Sequence, residues 1–220
     1  MKVLVACEYS GRVRDAFNAS GHQAMSCDLL PTDKPGPHHQ GDVRDVIEDG
    51  WDLMICHPPC TYLTSAGLHW NTKRPERAAQ TLEALEFVRF LLSAPIEKIV
   101  LENPVGCISS QIRKPDQTIQ PYQYGENASK ATCLWLKGVQ PLRPTVFFEP
   151  RMVCCGAVLP AGVGKHGCAN CCGAKAARPR WENQTDSGQN KLAPSADRWK
   201  LRSTTYQGIA AAMAAQWGGA

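Results

Sequence analysis

Short apolar runs alternate with apolar positions at helical spacing through the first half of the chain. Val3–Cys7 is a β-branched run, and after Gly11 the residues Val13, Ala16 and Phe17 recur one helical turn apart. The pattern predicts strand, tight loop, helix. Gln23–Cys27 predicts a strand ending at Asp28, Trp51–Cys56 another, and Lys98–Leu101 a further one after a helix carrying Ala78, Leu82, Leu85 and Leu92. Such alternation implies an α/β fold with a parallel sheet, whose ligands bind beyond the carboxyl ends of the strands. Polar candidates collect at those ends: Glu8 to Gly11, Asp28, Asp42 in a Gly-Asp-Val turn, Cys60, and Glu102. His38 and His39 fall in a Pro/Gly-rich stretch and are expected to face solvent. After Pro144 the periodicity decays into a Gly-, Pro- and Cys-rich segment, and the chain closes on an apolar helix, Ile209–Trp217.

Composition sets the scale. A chain of 220 residues with 43% hydrophobic content buries one sizeable core, so one domain with a small appendage is expected. Its expected parts are an α/β core over 1–140, a short insert over 141–202 and a returning C-terminal helix over 203–220. No run approaches the eighteen or so apolar residues of a membrane span, and the apolar opening meets Glu8 too early for a signal peptide. A cytoplasmic protein with no membrane partner is expected, as a monomer. Eleven cysteines, an odd number mostly on apolar stretches, read as reduced or metal-bound thiols in a reducing compartment. Residues 1–136 carry 13 Lys/Arg against 16 Asp/Glu, whereas 137–220 carry 11 against 4. A basic segment on a near-neutral core suits a polyanion, most simply nucleic acid.

Three local signals carry chemistry. The loop Cys7-Glu8-Tyr9-Ser10-Gly11 sits where a nucleotide-binding sheet cradles its ligand, and Asp28-Leu29 follows near the spacing at which an acid meets a ribose hydroxyl. The G-x-G-x-x-G fingerprint is absent, which points away from a dinucleotide and toward a ligand with ribose but no pyrophosphate. Cys56-His57-Pro58-Pro59-Cys60 places a thiol on a stiff backbone at a strand end, as a nucleophile requires. Leu101-Glu102-Asn103-Pro104 puts a carboxylate after an apolar strand that the proline stops. Each alone is equally compatible with a structural role: a steric glycine turn, a buried inert thiol, a turn carboxylate.

Taken in order, these elements resemble the cytosine-C5 DNA methyltransferases, most nearly their short, phage-type members. The resemblance covers roughly 1–136 and 203–218. It implies a Rossmann-like S-adenosylmethionine-dependent methyltransferase sheet, with Glu8, Tyr9, Ser10, Gly11, Asp28, Leu29, Asp42 and Pro58 around the cofactor. Gln207, in Thr205-Tyr206-Gln207-Gly208-Ile209, belongs to a last motif that returns to the cofactor site. Cys60 is the implied nucleophile, Glu102-Asn103 the catalytic pair, and Lys130 stands where the family has an arginine that grips the base. Cytosine C5 is too weakly nucleophilic to take a methyl group directly, so the family adds a thiolate to C6 and makes the ring an enamine. The base must then be flipped out or already single-stranded. Two departures stand out. Lys130 and Thr132 replace arginines, which removes a bidentate fork, and Cys56-His57 replace the glycines usual before Pro-Pro-Cys.

In the recognition region, Cys154-Cys155 and Cys168-x2-Cys171-Cys172 give five thiols in nineteen residues, the spacing of a tetrahedral structural zinc site. A zinc-pinned basic loop, with Arg180 and Trp181, would contact DNA phosphates and a groove. So short an insert implies a short target site. Trp70, in the loop after Cys60, either enters the DNA or anchors its own loop. Other readings of the sequence are a free cytosine nucleotide as substrate, a modified donor, and a zinc-dependent DNA-binding module on an inactive scaffold.

Overall fold

Strand β1 (Lys2–Ala6) is almost wholly buried, because its Val, Leu and Ala side chains are covered on both faces as in any central parallel strand. The computed structural model describes residues 1–154, 157–158 and 177–219. From β1 the chain runs through α1 (Arg12–Ala19), β2 (Gln23–Asp28), β3 (His38–Gln40), β4 (Leu53–Cys56), the short α2 (Ser65–Leu68), α3 (Pro75–Leu92), β5 (Lys98–Pro104), α4 (Ile108–Gln111), β6 (Gln117–Ile119) and β7 (Thr132–Lys137). The seven strands form one sheet in the order β3-β2-β1-β4-β5-β7-β6. Strands β1 to β5 are parallel, and β7 runs antiparallel to both β5 and β6. The molecule is thus α/β with a mostly parallel central sheet, compatible with a Rossmann-like fold. Its order reverses between β1 and β4, the switch point at which doubly wound sheets bind ligands.

The chain divides into two units. The first comprises Met1–Ile119, Ala131–Arg143 and Ile209–Ala220, and the second Gln120–Lys130 and Pro144–Gly208. Within the first, helix α6 (Gln207–Trp217) buries Ile209, Met213 and Trp217, and Trp217 Nε1 donates to the Gln140 carbonyl at 2.9 Å. Within the second, β8 (Arg151–Cys154), β9 (Ala157–Val158) and β10 (Arg178–Arg180) make a small antiparallel sheet, followed by α5 (Arg198–Ser203). Tyr122 and Trp181 stack there with ring centroids 4.3 Å apart. No helix among the described residues is long and apolar enough to cross a membrane.

Four sequence expectations are corrected. His38 and His39 lie on β3, half-buried. His38 Nδ1 meets Ser26 Oγ at 2.8 Å and its Nε2 meets the Leu30 carbonyl at 3.0 Å. Strand pairing recruits them because the register sets His38 beside Ser26. Leu82 is 64% exposed, since α3 turns Thr81, Leu85, Val88 and Leu91 inward instead. Strand β5 runs through Glu102 to Pro104, because its antiparallel partner continues opposite Glu102, Asn103 and Pro104. The segment after Pro144 contains strands too short for any periodicity to register.

Candidate active site

The loop after β1 is held by a buried carboxylate. Cys7 has a left-handed backbone (φ 58°), which costs a non-glycine residue about 1–2 kcal/mol and marks a locally over-determined turn. Glu8 is buried and accepts three bonds: from Ser10 Oγ at 3.1 Å, from the Val13 amide at 2.8 Å and from the Arg14 amide at 3.2 Å. Its carboxylate therefore satisfies the first amides of α1, a task the side-chain-less N-cap Gly11 cannot perform. Gly11 is required for two reasons: its φ is 67°, and a Cβ there would lie 2.3 Å from Arg14 Nη2. The buried Tyr9 accepts the Asp33 amide through its carbonyl at 2.9 Å, tying this loop to the one after β2.

Beyond the carboxyl ends of β1, β2 and β3 lies a cavity of about 180 Å3, whose lining includes Cys7, Asp28, Leu29, Asp42, Val43 and Pro59. Its two carboxylates differ. Desolvation raises Asp28 above the ordinary carboxylate range, although the Leu30 amide donates to its Oδ1 at 3.0 Å. Asp42 is lowered, chiefly by the Arg44 amide on its Oδ1 at 2.9 Å. Leu29 is 72% exposed and offers an apolar edge.

Next to this cavity, β4 leads to Cys60 and β5 carries Glu102 and Asn103, the residues the sequence resemblance singles out. The His57 amide donates to the Ala6 carbonyl at 2.9 Å, continuing the β4 ladder one residue beyond the strand. Asn103 is buried, and its Nδ2 donates to the Pro58 carbonyl at 2.7 Å. His57 Nδ1 and Glu102 Oε2 are 3.0 Å apart, with side chains 9% and 14% exposed. Two further buried atoms, His57 Nε2 and Asn103 Oδ1, have no hydrogen-bond partner among the described residues.

Downstream, the Cys60 carbonyl accepts the Leu63 and Thr64 amides, both at 3.0 Å, and Leu63 is fully buried. The Leu63 carbonyl takes the Cys107 amide at 2.8 Å, and the Ser65 amide donates to Val105 at 3.1 Å. The Cys60 loop and the loop after β5 are thus laced together. Gly106 makes this possible, since a Cβ there would sit 1.9 Å from the Leu63 carbonyl oxygen. Gly106→Ala is expected to lower stability by about 1–3 kcal/mol and to displace the Cys60 loop, measured by urea unfolding alongside the exchange rates of the Ser65 and Cys107 amides.

The thiols around this end of the sheet are distinguishable. Burial raises Cys7 and Cys56 well above the usual range and pushes Cys27 up to about 12, so each stays protonated and unreactive. Cys60 is partly exposed and forms no disulfide.

In the second unit, Lys130 Nζ donates to the Arg202 carbonyl at 2.8 Å. Gln207 is exposed at the start of α6. Cys154 is buried at the end of β8, whereas Cys155, Cys168, Cys171 and Cys172 lie outside the described residues. Among the described residues no cluster of His, Cys, Asp and Glu is arranged to hold a metal.

The structure therefore joins the Cys60 loop by direct bonds to the end of β5, which carries Glu102 and Asn103, and puts Asp28, Leu29 and Asp42 around one cavity. Sequence reasoning missed the pairing of His57 with Glu102. Its only sequence signal was a histidine where a glycine was expected. No family model matches the chain, and no curated protein matches it.

Proposed function

We propose that the protein is a DNA cytosine-C5 methyltransferase, using S-adenosylmethionine and a covalent adduct between Cys60 and the C6 atom of cytosine. The observation that carries this reading is the joining of Pro58-Pro59-Cys60 to Glu102-Asn103. A nucleophile motif and a carboxylate motif 42 positions apart in sequence are held together by the Asn103 to Pro58 bond and the His57 to Glu102 contact.

The cavity suits the donor's nucleoside. Asp28 is a carboxylate for ribose hydroxyls, Leu29 and Val43 offer apolar contact to a purine, and Asp42 lies on the same wall. When bound, the donor supplies an electrophilic methyl group. The chain's own residues do the rest. The Cys60 thiolate adds to C6, which shifts the C5=C6 pair toward C4 and the C4=N3 pair onto N3. Glu102 gives N3 a proton, a general-acid contribution of about 10²- to 10⁴-fold. C5 then takes the methyl group, water removes the C5 proton, Cys60 leaves as thiolate, and N3 returns its proton to Glu102. Asn103 touches none of these atoms. It fixes the Pro58 carbonyl, and so the direction from which Cys60 approaches.

The basic C-terminal third supplies phosphate contacts, and the exposed aromatic residue Phe147 offers a stacking face to nucleic-acid bases. Structural zinc held by four of Cys154, Cys155, Cys168, Cys171 and Cys172 would order the insert. Purified protein is then expected to carry one zinc per chain by elemental analysis. Protein with no zinc after metal-replete expression would refute that part. The activity is tested by incubation with S-adenosylmethionine and DNA containing 5-fluorocytosine, whose C5 substituent cannot leave after methyl transfer. A covalent complex is expected. Turnover of a free cytosine nucleotide without reaction on DNA would move the substrate assignment to the nucleotide. Donor binding without either reaction would favour an inactive scaffold that binds DNA.

A further inference from the structure

The reaction above needs Glu102 to give up a proton and then tolerate a negative charge in a place with little water. Burial alone opposes that, because it disfavours the charged carboxylate. A donor aimed at the carboxylate removes the difficulty, and one is present. His57 Nδ1 lies 3.0 Å from Glu102 Oε2, and both side chains are largely buried. An ionised carboxylate only accepts hydrogen bonds, so once Glu102 is ionised the proton in this contact belongs to His57 Nδ1.

The ring is fixed from both sides. Its backbone amide is bound to Ala6, and the next two residues are prolines, whose φ angles are set by their rings. On the far side of the imidazole, Nε2 is buried with no hydrogen-bond partner among the described residues. Glu102 is therefore the side chain that orients the ring. The titratable groups coupled to the pair include the Asp28 carboxylate from β2, whose ionised form His57 favours, and the thiols of Cys56 on β4 and Cys133 on β7, which burial, and with it Glu102, hold toward the protonated form.

We propose that His57 is a positioning residue for Glu102. Its Nδ1–H holds Oε2, fixes the plane of the carboxyl group and stabilises the carboxylate formed when the other oxygen protonates cytosine N3. This rests on the methyltransferase reading and deepens it. The proton balance is closed. As the Sγ–C6 bond forms, one proton passes from Glu102 to N3 while the Nδ1–H stays on His57 and strengthens its bond to the new carboxylate. When Sγ–C6 breaks, the proton returns from N3 to Glu102. A histidine at this position, instead of glycine, thereby gives the general acid a partner on the nucleophile's own loop.

The test uses the full chain and three variants: His57→Phe, which keeps a planar ring without a donor; His57→Asn, whose Nδ2–H stands near the Nδ1–H position; and Glu102→Gln. With 5-fluorocytosine DNA and S-adenosylmethionine, His57→Phe is expected to form the covalent complex about 10- to 100-fold more slowly, the size of one hydrogen bond to a charged group. The loss should fall in kcat, with KM for DNA and the dissociation constant for the donor unchanged, and His57→Asn should recover most of it. A structural role would be lost equally in both variants.

The second arm needs neither DNA nor donor. The imidazole Nδ1–H of ¹⁵N-histidine-labelled protein should give a low-field proton resonance that moves in Glu102→Gln and vanishes in His57→Phe. If that resonance is identical in Glu102→Gln and wild type, or if His57→Phe forms adduct at the wild-type rate, the proposal is wrong. If wild type forms no adduct while the resonance depends on Glu102, the methyltransferase reading fails and the catalytic role of the pair fails with it, but the pairing itself stands.

Discussion

Replacing Cys60 by serine is expected to abolish adduct formation and lower turnover by at least about 10³-fold, while donor binding stays at the wild-type level. The reasoning is specific to this thiol. The neighbouring Cys7, Cys27 and Cys56 are held protonated by burial, so none can substitute for it. A serine hydroxyl keeps the size of the side chain but ionises far less readily than a thiol. The loop should survive the change, because its anchors are backbone groups: the Cys60 carbonyl, the Leu63 carbonyl and the Pro58 carbonyl. Intact mass after reaction with 5-fluorocytosine DNA, together with calorimetric donor binding, checks both halves. Wild-type turnover by the serine variant would overturn the assignment of the nucleophile.

The largest expected stability loss lies at Arg14, a fully buried arginine on α1. Its guanidinium donates to Asp15 Oδ1 at 2.8 Å, to Ser26 Oγ and Thr32 Oγ1 at 3.2 Å each, and to the carbonyls of Lys34 and Pro35 at 3.1 and 3.4 Å. One planar group thus ties Thr32, Lys34 and Pro35 of the loop between β2 and β3 to α1. Arg14→Met keeps much of the volume and removes all five of these bonds. A loss of about 3–5 kcal/mol is expected, seen as a fall in Tm of roughly 10 °C. Because that loop carries Leu29 beside the cavity, affinity for the proposed donor should fall as well. A melting temperature unchanged from wild type would mean that the loop is held by something other than Arg14.

Much of the architecture was legible because its signals are local. Val3–Cys7, Gln23–Cys27 and Lys98–Leu101 are apolar runs at a strand's length, and each proved to be a parallel strand with its polar candidates at the carboxyl end. What escaped notice depends on partners remote in sequence. Strand β3 has three residues, two of them histidines, and exists because β2 offers it an edge. Strands β6 and β7 form a hairpin-like pair whose register only the sheet can set. The inward face of α3 was misjudged at Leu82 because that leucine stands among Glu83, Glu86 and Arg89 on the exposed side, while Thr81, a polar residue, takes the inward position beside it. At the site, the presence of Cys60, Glu102 and Asn103 was readable, but their tie was not. A bond between positions 57 and 102, or 58 and 103, leaves no trace in spacing. Glu8 is the instructive case: its position after β1 suggested a cofactor contact, and its oxygens are engaged with the first turn of α1.

The lacing between the Cys60 loop and the segment around Gly106 governs how this end of the molecule breathes. Two backbone hydrogen bonds, Cys107 amide to Leu63 carbonyl and Ser65 amide to Val105 carbonyl, span the two segments, and the Asn103 amide holds the Pro58 carbonyl beside them. Neither can swing outward as a hinge while the other stays in place, because each link would have to break at once. Excursions that uncover the thiol are therefore all-or-none openings, slow and rare on the scale of ordinary loop motion. Under the proposed function, a target base would meet a preassembled pair of jaws that stay in register between openings.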